Sequence, residues 1–222
     1  MIVSGLPNRQ RRVGAGRFPL WVVALMLAVI ASVGAGCAAS ALEPGGDYAG
    51  IELDPPLAIP DVVLTDTSGN PYDLRQELAG RIGLVYFGYT SCPDICPVHL
   101  AQIDSVLAMG DQPTNVEVVL ITVDPERDDA ATLRRFLDQF DRRFVGLLGT
   151  PEQLADAQRA FGLAVAAKEG DGDDYTFGHA GQVFAFAPDG YAYTVYPQGT
   201  RQSHWADDLP KLAQIQPAED SQ

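Results

Sequence analysis

Arg81-Ile82-Gly83-Leu84-Val85-Tyr86-Phe87-Gly88-Tyr89 runs directly into Thr90-Ser91-Cys92-Pro93-Asp94-Ile95-Cys96-Pro97, and this stretch decides how the chain folds. Its first nine residues are almost continuously apolar, the pattern of a strand buried on both faces in the middle of a sheet. Pro97 is placed to open a helix at its first position, where a missing N–H costs nothing. Leu100, Ile103, Val106 and Leu107 then supply an apolar stripe at helical spacing. The two cysteines therefore stand where a central strand passes into its helix, at the carboxyl edge of the sheet, where open α/β folds tend to place their chemistry.

The pattern continues outward on both sides. Residues 116–123 read as a second buried strand, and residues 144–148 as a third, shorter one. Between them, Asp128 and Asp129 lead a helix with Leu133, Phe136, Leu137 and Phe140 inward, and Pro151-Glu152 opens another. Glycine and acids over residues 168–174 make a loop. Residues 182–187 and 191–196, joined by Pro188-Asp189-Gly190, predict a hairpin, and a last helix covers residues 203–213. Upstream, residues 61–66 followed by Ser68-Gly69-Asn70-Pro71 predict an N-terminal hairpin, and residues 74–78 a single helical turn. The order predicts an α/β fold, a mixed central sheet with helices on both faces plus the N-terminal hairpin. It resembles the thioredoxin-like fold.

The first 37 residues read differently. Arg9, Arg11, Arg12 and Arg17 occur with no acidic residue, an uncharged apolar run fills residues 18–33, and Gly34-Ala35-Gly36-Cys37 follows. This is an export leader rather than part of the fold. Small residues before Cys37 resemble the lipobox of bacterial lipoproteins, in which the cysteine becomes the lipid-modified N-terminus, although Gly34 stands where that pattern has an aliphatic residue. The alternative is an uncleaved membrane anchor. Either reading puts the protein outside the cytosol, attached to the outer face of a membrane. Residues 38–56, rich in Ala, Gly, Pro and acids, read as a flexible tether, residues 57–215 as one domain, and residues 216–222 as a disordered tail.

The chain carries 15 Lys and Arg against 29 Asp and Glu, and without the leader 11 against 29, a net −18. Nucleic acid is excluded as a partner by that balance. With Cys37 set aside, only Cys92 and Cys96 remain, so stability must come from a hydrophobic core rather than from structural disulfides.

A thiol is reactive as its thiolate, and a helix N-terminus favours that form by presenting free N–H groups. Two cysteines separated by Pro93, Asp94 and Ile95 are one residue further apart than in the familiar redox pair. They can close a disulfide, or grip one soft metal ion if a third ligand arrives from elsewhere. Three histidines are candidates. His99 lies one turn beyond Cys96 on the same helix and His204 beside Trp205, and both read as structural. His179 follows the glycine-rich acidic loop and immediately precedes a strand, so it can reach over the sheet edge toward the cysteines.

Taken together, Thr90 to Pro97, Val123-Asp124-Pro125-Glu126-Arg127-Asp128, Leu148-Gly149-Thr150, and His179 followed by Phe186-Ala187-Pro188-Asp189-Gly190 resemble the Sco/SenC family of copper proteins. The resemblance runs from about Asp61 to the end of the last helix. It implies Cys92, Cys96 and His179 as ligands of one copper ion per domain, Cu(I) or Cu(II). It further implies delivery of copper to the CuA-bearing subunit of cytochrome c oxidase, or reduction of that subunit's cysteines, with other copper chaperones or thiol reductants as further partners. Asp124, at a strand end, is a candidate for a carboxylate standing behind the ligands, and equally for a strand-end turn. The chain departs from many relatives at Gly178, where they carry a polar residue.

The competing reading from another class is a thiol:disulfide oxidoreductase using Cys92 and Cys96 without metal, which needs no His179. A peroxidase of the peroxiredoxin type is discouraged by a second cysteine only four residues away. A structural zinc site is discouraged by the presence of three ligands rather than four.

Overall fold

The computed structural model describes residues 46–170, 172 and 174–217. The leader and Cys37, residues 38–45 of the tether, and residues 218–222 of the tail lie outside the described residues. Among the described residues no helix is long and apolar enough to cross a membrane.

Strand β4 (Ile82–Gly88) is buried along its whole length because it is flanked on both sides. On one side β5 (Val116–Thr122) runs parallel to it, and on the other β9 (Val183–Phe186) runs antiparallel. The sheet extends beyond β5 through β6 (Val145–Leu148), β2 (Val63–Asp66) and β3 (Pro71–Asp73). Beyond β9 it extends through β10 (Tyr191–Tyr196) and β1 (Ile51–Ala58), to give the order β1-β10-β9-β4-β5-β6-β2-β3. The expected N-terminal hairpin is the antiparallel pair of β2 and β3.

Side chains alternate across this sheet, and each set has its own helical cover. Val85 and Phe87 of β4 join Val119 and Ile121 of β5 in one core. That core is closed by Leu74 of α1 (Leu74–Glu77) and by Leu154 and Ala157 of α4 (Pro151–Ala160). Leu84 and Tyr86 join Val118 and Leu120 in the other core. It is closed by Leu100, Ile103 and Val106 of α2 (Ile95–Leu107), Leu133 and Leu137 of α3 (Ala130–Leu137), and Trp205, Leu209 and Leu212 of α5 (Gln202–Leu212). The result is a thioredoxin-like α/β fold with a mixed sheet and helices on both faces.

The structure differs from the sequence reading in four places. Strand β1 begins at Ile51, six residues inside the stretch read as a tether. Its pairing with β10 shifts register between Glu52 and Leu57, across Pro55-Pro56, so no clean alternation marks it. Helix α2 begins at Ile95, which puts Pro97 third in the helix rather than first. None of the first N–H groups of a helix has an intrahelical partner, so proline is tolerated throughout that turn. Phe136 and Phe140 are only partly buried and pack on one another with ring centroids 5.5 Å apart. Finally, the glycine-rich stretch is not all loop: β7 (Ala167–Glu169) and β8 (Thr176–Gly178) form an antiparallel two-stranded sheet of their own.

Candidate metal centre

Cys92 closes the turn that leaves β4, its N–H donating to the Tyr89 carbonyl at 3.2 Å. Asp94 precedes helix α2 without offering a side-chain cap. The Cys92 sulfur lies near that free helix end, where the backbone N–H groups of Asp94 and Cys96 favour its thiolate. Cys96 sits second in the helix, wholly buried, and the Tyr86 hydroxyl donates to its sulfur at 3.2 Å. Both cysteines are free thiols, and Cys92 is half-buried.

The two sulfurs have opposite acidities. A hydrogen bond from Cys96 is the main cause that holds the Cys92 thiol far below its ordinary range, assisted by His179 and the two N–H groups. Cys96 is pushed up, first because it is the donor in that bond and then by burial. Cys92 is thus the more acidic of the two thiols, and it is also the more accessible.

His179 arrives from the other side of the sheet edge, as the first residue past β8. Its Nδ1 lies 3.0 Å from the Ala180 carbonyl, an acceptor that favours a proton on this nitrogen. The ring packs edge-on against Tyr89 and Tyr86, at centroid distances of 5.7 and 6.2 Å. Cys92 Sγ, Cys96 Sγ and a His179 ring nitrogen all lie within 4.8 Å of one another. Ligands about 2.0–2.3 Å from one ion stand about 4 Å apart in a trigonal arrangement, so a small closure satisfies a metal here.

His99 is buried beside Tyr86 and Trp205, with ring centroids 5.4 and 6.5 Å away, and His204 is half-buried on α5. Neither belongs to the Cys92, Cys96 and His179 cluster. Gly88, the last residue of β4, stands close against the cysteine turn: a Cβ there would lie 2.9 Å from Cys96 Sγ and 3.0 Å from the Tyr86 ring. Gly88→Ala should cost about 1–3 kcal/mol in urea unfolding through overpacking. It should also change the rate at which Cys96 is titrated by a thiol reagent; an unaltered rate together with unaltered stability would show the contact to be loose.

The loop after β5 grips both halves of this arrangement. On the cysteine side, the Thr90 hydroxyl and N–H donate to the buried Asp128 carboxylate at 2.5 and 3.1 Å, and the Thr122 hydroxyl donates at 2.6 Å. On the histidine side, the Tyr175 hydroxyl donates to the buried Asp124 at 2.8 Å, and Arg127 Nη1 donates to the Tyr175 carbonyl at 3.1 Å. The Arg127 guanidinium also pairs with Asp124 and lies 3.6 Å from the centre of the Tyr175 ring. Asp124 thus holds Tyr175 and Arg127, and its carbonyl also closes the strand-end turn by accepting the Asp128 N–H at 2.9 Å.

Burial is the main cause that raises the Asp128 pKa above 3.8, against hydrogen bonds from Thr122 and Thr90 that lower it. A folded-state pKa above the unfolded one contributes stability in full below the unfolded value, and that contribution is lost as pH rises through the folded one. Relative to Asp128→Asn, the parent protein should therefore lose stability as pH rises from about 4, with the difference levelling off above the raised pKa. Denaturant midpoints of the two proteins across that range test this, and a constant difference would contradict it.

Tyr86, Thr90, Arg127 and Tyr175 were not singled out in the sequence as site residues. A signal existed for one of them: Tyr175, Phe177 and His179 alternate through and beside β8.

Comparison with known proteins places this geometry in context. The SCO1/SenC family model matches residues 54–214. Protein SCO2 homolog, mitochondrial, of Mus musculus is 40% identical over 135 residues, which cover 59% of this chain and 52% of that protein. The chain thus spans about half the length of that curated relative. An SCO2-like protein of Rickettsia felis is 33% identical over 155 residues, covering 68% of this chain and 71% of the relative. Among solved structures, Bradyrhizobium japonicum ScoI with copper bound aligns with a TM-score of 0.62 at 34% identity, over 70% of this chain and 99% of that one.

Proposed function

This chain belongs to the SCO1/SenC family, and from that premise we propose that it is an extracytoplasmic copper-binding metallochaperone assisting assembly of the CuA centre of cytochrome c oxidase. The observation that carries the proposal is the triangle of Cys92, Cys96 and His179, three ligand atoms within 4.8 Å, contributed by two separate parts of the fold. Two soft sulfurs and an imidazole suit Cu(I), and the same set holds Cu(II) with an added weak ligand. The copper bound in the Bradyrhizobium japonicum relative supports the choice of metal. One ion per domain is cargo, held at the sheet edge and passed to the CuA-bearing subunit. The basic, then apolar, first 33 residues and Cys37 support attachment to the outer face of the membrane, by lipid or by anchor.

His179→Ala tests the ligand set. In the purified chain, reduced without oxygen, the substitution should weaken Cu(I) binding and abolish the Cu(II) absorption spectrum. Unchanged binding and spectrum would remove His179 from the site. In cells, loss of the protein should lower CuA oxidase activity, and added copper should restore it.

A second reading is favoured by the inequality of the two thiols. The half-exposed Cys92 thiolate is suited to attack a partner's disulfide, forming a mixed disulfide, and Cys96 to resolve it. The partner then leaves as a dithiol, Cys92 and Cys96 are left as a disulfide, and a thiol reductant must reset the pair. Full disulfide reduction by His179→Ala, with oxidase assembly intact, would select this reading.

A further inference from the structure

We propose that Tyr175 is a positioning residue that holds His179 over the two thiols, and that its hydroxyl bond to Asp124 is the latch. The inference rests on the reading of His179 as a ligand. His179 directly follows strand β8, yet the β7–β8 pair is a sheet separate from the one whose strand β4 leads into the cysteines. Each of its strands has three residues, and β7 is exposed throughout. Hydrogen bonds between β7 and β8 keep the hairpin together but do not place it against the thiols.

What places it is the inward face of β8. Phe177 N–H donates to the Tyr89 hydroxyl at 3.2 Å, and the Phe177 ring packs on Tyr89 with centroids 5.6 Å apart. Two residues back, Tyr175 is buried and gives the hairpin two more polar attachments: its hydroxyl to Asp124, and its carbonyl to Arg127. Its ring lies under the Arg127 guanidinium and 3.7 Å from Lys168 Nζ, which in turn pairs with Glu126 at 2.8 Å. Because Tyr175 and His179 flank β8 and, with Phe177, alternate with exposed Thr176 and Gly178, fixing the first limits the reach of the last, about 13 Å further along an extended chain. Asp124 and Arg127 belong to the loop whose Asp128 also holds Thr90, next to the cysteine turn. The spacing between the thiols and the imidazole is thus set by a single loop that grips both.

Tyr175→Phe removes the hydroxyl and keeps the ring, so the core is preserved. The variant should bind copper roughly 10–150-fold more weakly, as expected for losing one hydrogen bond to a charged acceptor. In the His179→Ala background the same substitution should change copper binding less than about twofold, because coupling through His179 is then gone. A metal-free readout accompanies this: amide exchange at residues 176–178 should accelerate in Tyr175→Phe, while residues 82–88 and 116–122 keep their protection. An equal loss of affinity in both backgrounds, or unchanged exchange at residues 176–178, overturns the proposal. If His179→Ala alone leaves copper binding intact, it is the ligand reading that fails, and the exchange measurement still decides whether Tyr175 holds the strand.

Discussion

Cys96→Ser is expected to abolish tight Cu(I) binding, and Cys92→Ser to do the same, whereas neither unfolds the protein. The effect should exceed the roughly 10–100-fold loss typical of removing an outer partner of a ligand, because a soft sulfur is replaced by a hydroxyl that stays protonated. The two variants differ in what they disturb. The Cys92 sulfur lies near the N–H groups of Asp94 and Cys96, and a serine oxygen in its place can accept from them. Cys96 lies wholly buried against the Tyr86 hydroxyl, which a serine can meet as a hydrogen-bond partner. Competition with a Cu(I) chelator measures the loss. Either variant retaining parent affinity would show that one sulfur and His179 suffice, and the three-ligand site would be abandoned. The same variants should be unable to form the Cys92–Cys96 disulfide, so their effect falls on both chemistries proposed for the pair. It is His179→Ala that separates the two.

How far the chain could be read in advance depended on how many neighbours each element has. Strand β4 was legible because two flanking strands bury all seven of its residues, leaving a near-continuous apolar run. Strand β1 was not, because it lies at the sheet's edge and Pro55-Pro56 interrupts its pairing. The start of α2 was placed two residues late because proline is acceptable anywhere in a first turn. That difference matters to the site, since it carries Cys96 into the helix and leaves Cys92 near the free N–H groups. His179 could be found because it sits between a glycine-rich stretch and a strand. Tyr175 showed only its alternation with Phe177 and His179, since its role exists only once β8 lies against Asp124, more than fifty residues away in the chain.

Trp205→Ala is expected to be among the most destabilising single substitutions in the domain, at about 3–5 kcal/mol. Trp205 is wholly buried on α5, stacked on Tyr196 with centroids 4.0 Å apart and near His99 of α2. It shares one core with Cys96, Leu100 and Ile103, so the cavity left behind opens directly beneath the helix that carries Cys96. For a domain of this size, each kcal/mol lowers Tm by about 2–4 °C, which predicts a fall of about 6–20 °C. Trp205→Phe should lose much less, because an aromatic ring still faces Tyr196. Thermal unfolding with and without Cu(I) separates this packing effect from damage to the ligands. All three ligands remain in Trp205→Ala, so copper should raise its Tm, as mass action requires of a ligand that binds the native state. Cys96→Ser should melt close to the parent apoprotein and show no such rise. A Trp205→Ala loss below about 1 kcal/mol would mean that α2 and α5 close the gap. The position of Cys96 would then depend on Tyr86 and the Thr90–Asp128 bonds rather than on the packing beneath its helix.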